Sequence, residues 1–249
     1  MTHRTAIASH RGGAFLWPEN SLAAIRAALA LPAEQVEIDI HASADGEPVV
    51  MHDATLDRMT DGQGPVRALS WEAISRLRVR GTGGEPVPHL SEALGLVAAA
   101  GRVLRLEIKA DASGSPYPGL VRRSLAVLDA AAWRARTVLM SFEPATVAEA
   151  AEAGGFDQLV WLADGRRLRG MRPRDLIAQC RACGASELGV HEAQASEALR
   201  DALRAAGLRL SVWAANHPPS IARALRLGVD AMATDDPPLA LRLRESGPG

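Results

Sequence analysis

Three stretches share one pattern: Ser9-His-Arg-Gly-Gly13, Val36-Glu-Ile-Asp-Ile-His41 and Val49-Val-Met-His-Asp53. Each is a short apolar or alternating run that ends in ionisable residues. Such runs read as buried strands that deliver charged groups to a polar site. Working outward from them, strand-like segments are expected at 5–9, 35–40, 103–108, 137–141, 157–162, 187–191, 208–214 and 230–234. Helical patterns follow at 21–30, 91–100, 119–132, 144–153, 173–182, 195–206, 218–227 and from 238 onward. Strict strand-then-helix alternation predicts a parallel sheet. Eight such units in 249 residues predict an α/β fold of the (β/α)8 TIM-barrel type, in a single domain over 1–249. An open doubly wound sheet is the alternative, but its Gly-x-Gly-x-x-Gly fingerprint after the first strand is absent. One region breaks the alternation. Asp45-Gly46 signals a hairpin, so 48–52 should fold back on the second strand. Residues 53–89, with a Gly-rich loop at 61–65, a short helix at 71–77 and a further loop at 81–88, are expected as a small insertion on the barrel rim, without a core of their own.

Composition narrows the function. The apolar fraction of 47% suits a large core, and the net charge of −1 supplies no global field for nucleic acid or an anionic membrane surface. No apolar run of membrane-spanning length is present. Residues 1–10 lack an apolar leader segment, and the only two cysteines, Cys180 and Cys183, fit a reducing compartment, so a cytoplasmic protein is expected. Cys180-x-x-Cys183 lies in a helical stretch and reads as two helix-face thiols rather than half of a zinc site. Lys109 is the only lysine among 28 basic residues. In a chain so biased towards Arg, a retained compact ammonium suggests a position that needs a point charge rather than a planar fork.

In a βα barrel the site forms at the C-terminal ends of the strands. Here those ends carry His10-Arg11, Glu37-Ile-Asp39, Glu107-Ile-Lys109, Ser141 and Trp213. Residues two apart on a strand share a face, so Glu37 pairs with Asp39 and Glu107 with Lys109. Three carboxylates converging at one mouth repel unless a cation sits among them. Oxygen donors point to a hard divalent ion, Mg²⁺ or Ca²⁺, with Mn²⁺ as a third option. The competing reading pairs the acids with Arg11, Lys109 and Arg105. His10 and His52 beside such a centre form a candidate acid–base pair, because imidazole titrates near neutrality. Arg11 and Lys109 add positive charge for an anionic substrate, and the whole set suits phosphoryl chemistry.

The ordered motifs resemble the glycerophosphodiester phosphodiesterase family. They are His10-Arg11-Gly12, Pro18-Glu19-Asn20-Ser21, Glu37-Ile38-Asp39, the segment from Asp45-Gly46 to His52-Asp53, Leu56-Asp57-Arg58, Leu106-Glu107-Ile108-Lys109, Val212-Trp213 and Thr234-Asp235-Asp236-Pro237. The resemblance implies a TIM barrel with an insertion after its second strand. It also implies metal-dependent hydrolysis of glycerophosphodiesters to glycerol 3-phosphate and an alcohol. It places metal ligands at Glu37, Asp39 and Glu107 and acid–base roles at His10 and His52. Arg11 and Lys109 fall near the phosphate, Glu19 and Asn20 in the pocket with Glu19 orienting His10 or Arg11, and Trp213 as an apolar wall. Two departures stand out: Ser21 where Thr is usual, and His41 where Gln is frequent. His41 reads equally as a site residue or as a rim hydrogen-bonding group; His191 and His217 are given no catalytic role.

The implied partner is a small-molecule glycerophosphodiester, with no nucleic acid, no membrane span, and a homo-oligomer left open. Two rival functions remain. A metal-dependent barrel lyase with Lys109 as base leaves the histidines without a role. A non-catalytic binding barrel predicts an eroded acid–base set, whereas both histidines and all three acids are present.

Overall fold

The computed structural model describes residues 4–247; residues 1–3 of the expected N-terminal segment and residues 248–249 of the expected domain lie outside the described residues. The strands are β1 (Ala6–Ser9), β2 (Gln35–Ala42), β3 (Pro48–Val50), β4 (Val103–Ile108), β5 (Thr137–Ser141), β6 (Gln158–Ala163), β7 (Glu187–His191), β8 (Arg209–Trp213) and β9 (Ala231–Thr234). All but β3 are parallel to their neighbours. β1 pairs with both β2 and β9, which closes eight strands into a barrel. β3 adds to β2 in antiparallel register, with Ile40 opposite Val50. The alternation in the sequence therefore gives the expected barrel, and Asp45-Gly46 gives the expected hairpin.

Helices Leu22–Leu29, Leu90–Ala99, Leu120–Ala130, Pro144–Ala153, Pro173–Ala182, Glu197–Ala205, Pro218–Leu227 and Pro237–Glu245 occupy the expected intervals. Their starts are chemically marked. The Ser21 hydroxyl accepts the Ala24 N–H at 3.0 Å. Four helices begin with proline, whose missing N–H costs nothing in the first turn. A further one-turn helix, Gly165–Leu168, had no periodic signal and exists because Asp164 caps it. Arg167 of this turn pairs with Glu143 at 2.5 Å.

Alternation along β2 explains the layering. Val36, Ile38 and Ile40 pack outward with Ile25, Leu94 and Val97 of the surrounding helices. Glu37, Asp39 and His41 take the other face and are buried all the same. Deeper in the barrel, buried Arg105 pairs with Glu187 and donates to Ser211 Oγ (3.0 Å) and Gln35 Oε1 (3.2 Å). Arg105 is therefore committed to Glu187, so the competing reading fails for Arg105, while Arg11 and Lys109 do pair with the acids.

The insertion differs from expectation in one respect. It carries a small apolar cluster of its own, formed by Val49, Met51, Leu56, Val66, Ile74, Val79 and Val87. The residues are too scattered in sequence to show a period. Its short helix spans Trp71–Ile74, and isolated bridges such as Thr60 to Val79 hold the loops. Cys180 and Cys183 are buried and unpaired, and burial pushes the Cys180 thiol up to about 12, as befits packing thiols. Among the described residues no helix is long and apolar enough to cross a membrane.

Leu106 on β4 is fully buried between barrel and helices. Leu106→Ala should cost about 2–5 kcal/mol through lost transfer energy and a residual cavity. Chemical denaturation should show this as a lower midpoint, and an unchanged midpoint would contradict the layering.

Candidate active site

The pairing of β2 with β4 sets Asp39 beside Glu107 and Glu37 beside Arg105. Glu37, Asp39 and Glu107 thereby meet at the C-terminal mouth, with carboxylate oxygens all within 4.8 Å of one another. Glu37 and Asp39 are 0% exposed and Glu107 is 5% exposed, so water does little to screen them.

Two cations answer this charge. Lys109 Nζ lies 2.8 Å from Asp39 Oδ1 and 2.5 Å from Glu107 Oε1. Burial works against its ammonium, but Asp39 and Glu107 outweigh that and raise its pKa. The Arg11 guanidinium stands 3.5 Å from Asp39 Oδ2 and donates to Glu19 Oε1 at 3.1 Å, while its backbone N–H donates to Glu37 Oε2 at 2.7 Å. That turn requires unusual backbone: Arg11 has φ 52° and Gly12 φ 83°. A Cβ on Gly12 would lie 2.8 Å from Ala24 Cβ, so no larger residue fits. Asn20, also left-handed at φ 56°, donates to Asp39 Oδ2 at 2.8 Å and accepts the Asp39 N–H at 3.2 Å.

The three carboxylates still outnumber the two cations. Burial, reinforced by Asp39, pushes the Glu37 carboxyl up to about 7, and burial also raises Glu107. Burial opposes the Asp39 carboxylate too, but Lys109, His52 and Arg11 hold its pKa well below the usual range. Glu37 Oε1 is buried with no hydrogen-bond partner. An orphaned carboxylate oxygen in an all-oxygen, electron-rich cluster is a donor set that fits a hard divalent cation.

The two histidines are oriented alike. His10 Nδ1 is 2.5 Å from Asp235 Oδ1, and Asp235 Oδ2 accepts from Asn216 Nδ2 at 2.5 Å. The register of β1 on β9, Ser9 beside Thr234, puts these neighbours together. His52 Nδ1 is 2.7 Å from Asp53 Oδ1, and Asp53 Oδ2 accepts from Arg58 Nε at 2.6 Å. Arg58 also reaches Glu19 Oε1 and Oε2 at 2.6 and 3.0 Å, which links this pair back to Arg11. A carboxylate on Nδ1 fixes each ring and leaves its Nε2 for chemistry. Burial lowers the His52 pKa; burial opposes the His10 imidazolium as well, but Glu37 and Asp235 outweigh it and raise the His10 pKa.

His10, Arg11, His52, Glu107 and Lys109 line a cavity of about 270 Å³, whose lining also includes the apolar Met140, Phe142, Leu162 and Trp213. Trp213 stacks edge-on against Phe142 (6.0 Å between centroids) and His191 (4.7 Å). All ten residues singled out in the sequence converge on this mouth or on the groups that hold it; Glu19 binds Arg11 and not His10. His41 is a buried hydrogen-bonding residue, pushed down to about 4 by burial. His191 accepts from the Ala193 N–H, and Ser141 donates to Ile108 O at 2.7 Å, both local structural bonds. Asp235, Asp53 and Arg58 stand in the family motifs without an assigned role, and Asn216 stands in none of them. Asp235 follows a strand and Asp53 adjoins His52, so both carry a positional signal as well; Asn216 lies in a loop without one.

A sequence profile described as the Glycerophosphoryl diester phosphodiesterase family matches residues 10–239. A glycerophosphodiester phosphodiesterase of Caldanaerobacter subterraneus is 27% identical over 98% of this chain and 99% of its own. A solved Agrobacterium tumefaciens structure, provisionally described as a glycerophosphoryl diester phosphodiesterase, superposes with a TM-score of 0.93 at 34% identity, covering 98% of each chain. An Oleispira antarctica phosphodiesterase, solved in complex with its product sn-glycerol-3-phosphate, shares the fold at a TM-score of 0.79 and 23% identity, over 96% of this chain and 98% of that one.

The crowded acids yield a stability prediction. Glu37→Gln removes a carboxylate that burial and Asp39 both disfavour. In chelator the variant should melt higher than wild type, by about 2–4 °C per kcal/mol of repulsion relieved. It should also lose most of the stabilisation that a divalent cation gives the wild-type chain. A lower melting point in chelator would contradict the electrostatics described above. With the profile spanning almost the whole barrel and its motifs lying at the C-terminal mouth, the chain belongs to the glycerophosphoryl diester phosphodiesterase family.

Proposed function

We propose that this chain, as one barrel domain over residues 1–249 acting in the cytoplasm, hydrolyses glycerophosphodiesters to sn-glycerol 3-phosphate and an alcohol, with a divalent metal ion held by Glu37, Asp39 and Glu107. The observation that carries this reading is a cavity lined by two Nδ1-anchored imidazoles, Arg11, Lys109 and Glu107, with Glu107 clustered against the buried Glu37 and Asp39. The product carried by the Oleispira antarctica relative agrees with it.

When bound, the ion would supply positive charge to the non-bridging phosphoryl oxygens. Three carboxylates against Lys109 and Arg11 leave one negative charge, so a divalent ion turns the local balance positive, which suits a singly charged phosphodiester. Lys109 and Arg11 attract and orient the phosphoryl group by charge and by N–H donors. One imidazole takes the proton of the attacking oxygen, of water or of a substrate hydroxyl whose cyclic phosphate water then opens, as that oxygen bonds to phosphorus, while the other gives its proton to the alkoxide oxygen whose bond to phosphorus breaks. Asp235 and Asp53 hold the two rings in the tautomer with Nε2 facing the cavity. Trp213 and Phe142 form the apolar wall and keep bulk water off the carbon skeleton of the substrate.

The rival readings lose ground on specific contacts. Lys109 is ion-paired to Asp39 and Glu107, which makes it a poor base for a lyase. Each histidine keeps its carboxylate partner, which a purely binding barrel has no need to retain.

His10→Ala, His52→Ala and Glu107→Gln should each lower the release of sn-glycerol 3-phosphate from glycerophosphocholine by about 10²–10⁴-fold. Chelation should abolish wild-type turnover, and added divalent metal should restore it. Near wild-type rates in all three variants would refute the proposal.

A further inference from the structure

We propose that His41 and Tyr117 form a strut that positions His52, an inference that rests on the acid–base role assigned to His52 above. His41 Nε2 lies 2.9 Å from the backbone carbonyl oxygen of His52. His41 Nδ1 lies 2.9 Å from the Tyr117 hydroxyl. A carbonyl can only accept, so Nε2 carries the proton. In the neutral ring Nδ1 is then an acceptor, and the Tyr117 hydroxyl donates to it. The direction of the relay is therefore fixed: Tyr117 O–H to His41, His41 N–H to the His52 carbonyl. His41 is 2% exposed and Tyr117 9%, so no water competes strongly for either bond.

The strut joins three parts of the site. His41 is on β2, two residues beyond Asp39. Tyr117 is on the segment that follows β4, which carries Glu107 and leads to Lys109; Asp111 of that segment pairs with Arg67 of the insertion. His52 is at the point where the chain leaves β3 for the insertion. Its ring is tied by Asp53, and the chain one residue earlier is tied to β2 by the Met51 N–H, which donates to the Asp39 carbonyl at 3.0 Å. The His41 bond adds an attachment at the His52 carbonyl itself, from the same strand that carries two of the acids. His41 touches no reacting atom and is a positioning residue.

The tests separate donor chemistry from bulk. His41→Leu fills space but cannot donate, and leaves the His52 carbonyl unsatisfied. His41→Gln restores an N–H donor towards that carbonyl. Tyr117→Phe removes only the far bond. With glycerophosphocholine, His41→Leu should lower kcat by about 10–100-fold, the scale expected of a small misplacement, with KM changed less than about 3-fold. His41→Gln should recover most of kcat, and Tyr117→Phe should fall between them. The ¹⁵N-imidazole resonances of His52, assigned with a His52 substitution, provide a readout independent of turnover. They should be a single sharp set in wild type and His41→Gln, and broadened or doubled in His41→Leu. If wild type shows no turnover, the phosphodiesterase reading falls, and the resonances alone decide the strut. The strut is overturned if His41→Leu leaves the His52 resonances sharp, or if His41→Gln behaves as His41→Leu does.

Discussion

Mutual repulsion among Glu37, Asp39 and Glu107 is the constraint on which the rest of the site depends. Each buried carboxylate costs several kcal/mol to desolvate, and placing them within 4.8 Å of one another adds to that cost. The surrounding structure exists in large part to offset it. Lys109 stands between two of the acids, and the left-handed turn at Arg11 and Gly12 aims one backbone N–H at Glu37 while its guanidinium faces Asp39. Asn20 clamps Asp39 from both its amide atoms. What is left uncompensated, including the orphaned Glu37 Oε1, makes the cluster a donor set compatible with a divalent cation.

The two imidazoles are attached to this centre by two routes. His10 comes from β1 and is oriented by Asp235, which follows β9, so closure of the barrel between the first and last strands is what builds that pair. His52 comes from the β3 hairpin and is oriented by Asp53 within a chain of ion pairs running through Arg58 to Glu19 and Arg11. The insertion that supplies this second route has its own apolar cluster, which explains how a segment outside the barrel can hold an imidazole in place. The placement of His52 thus depends on the rim, and that of His10 on the seam between the first and last strands.

Much of this was legible in the chain. Alternating acids and isoleucines at 37–40 and 107–108 declared buried strands with one charged face, and eight strand–helix units declared the barrel. The solitary Lys109 signalled a special environment, and the structure places its ammonium between two carboxylates. Less legible was anything set by non-periodic contacts. Leu56, Val66 and Val87 form a core only because loops fold back on each other, and no period announces that. Arg58 pairs with residues five and thirty-nine positions away, and the committed pairing of Arg105 with Glu187 spans eighty-two. Pairings over such separations depend on strand register and loop path, which single-residue chemistry does not specify. His41 was visible as a departure, but its partners were not.

The most direct test of the central claim is anomalous diffraction from crystals of the wild-type chain soaked in Mn²⁺. One strong peak should lie about 2.0–2.6 Å from oxygens of Glu37, Asp39 and Glu107. Occupation of a different site, or no ordered ion in crystals that still release sn-glycerol 3-phosphate, would contradict it.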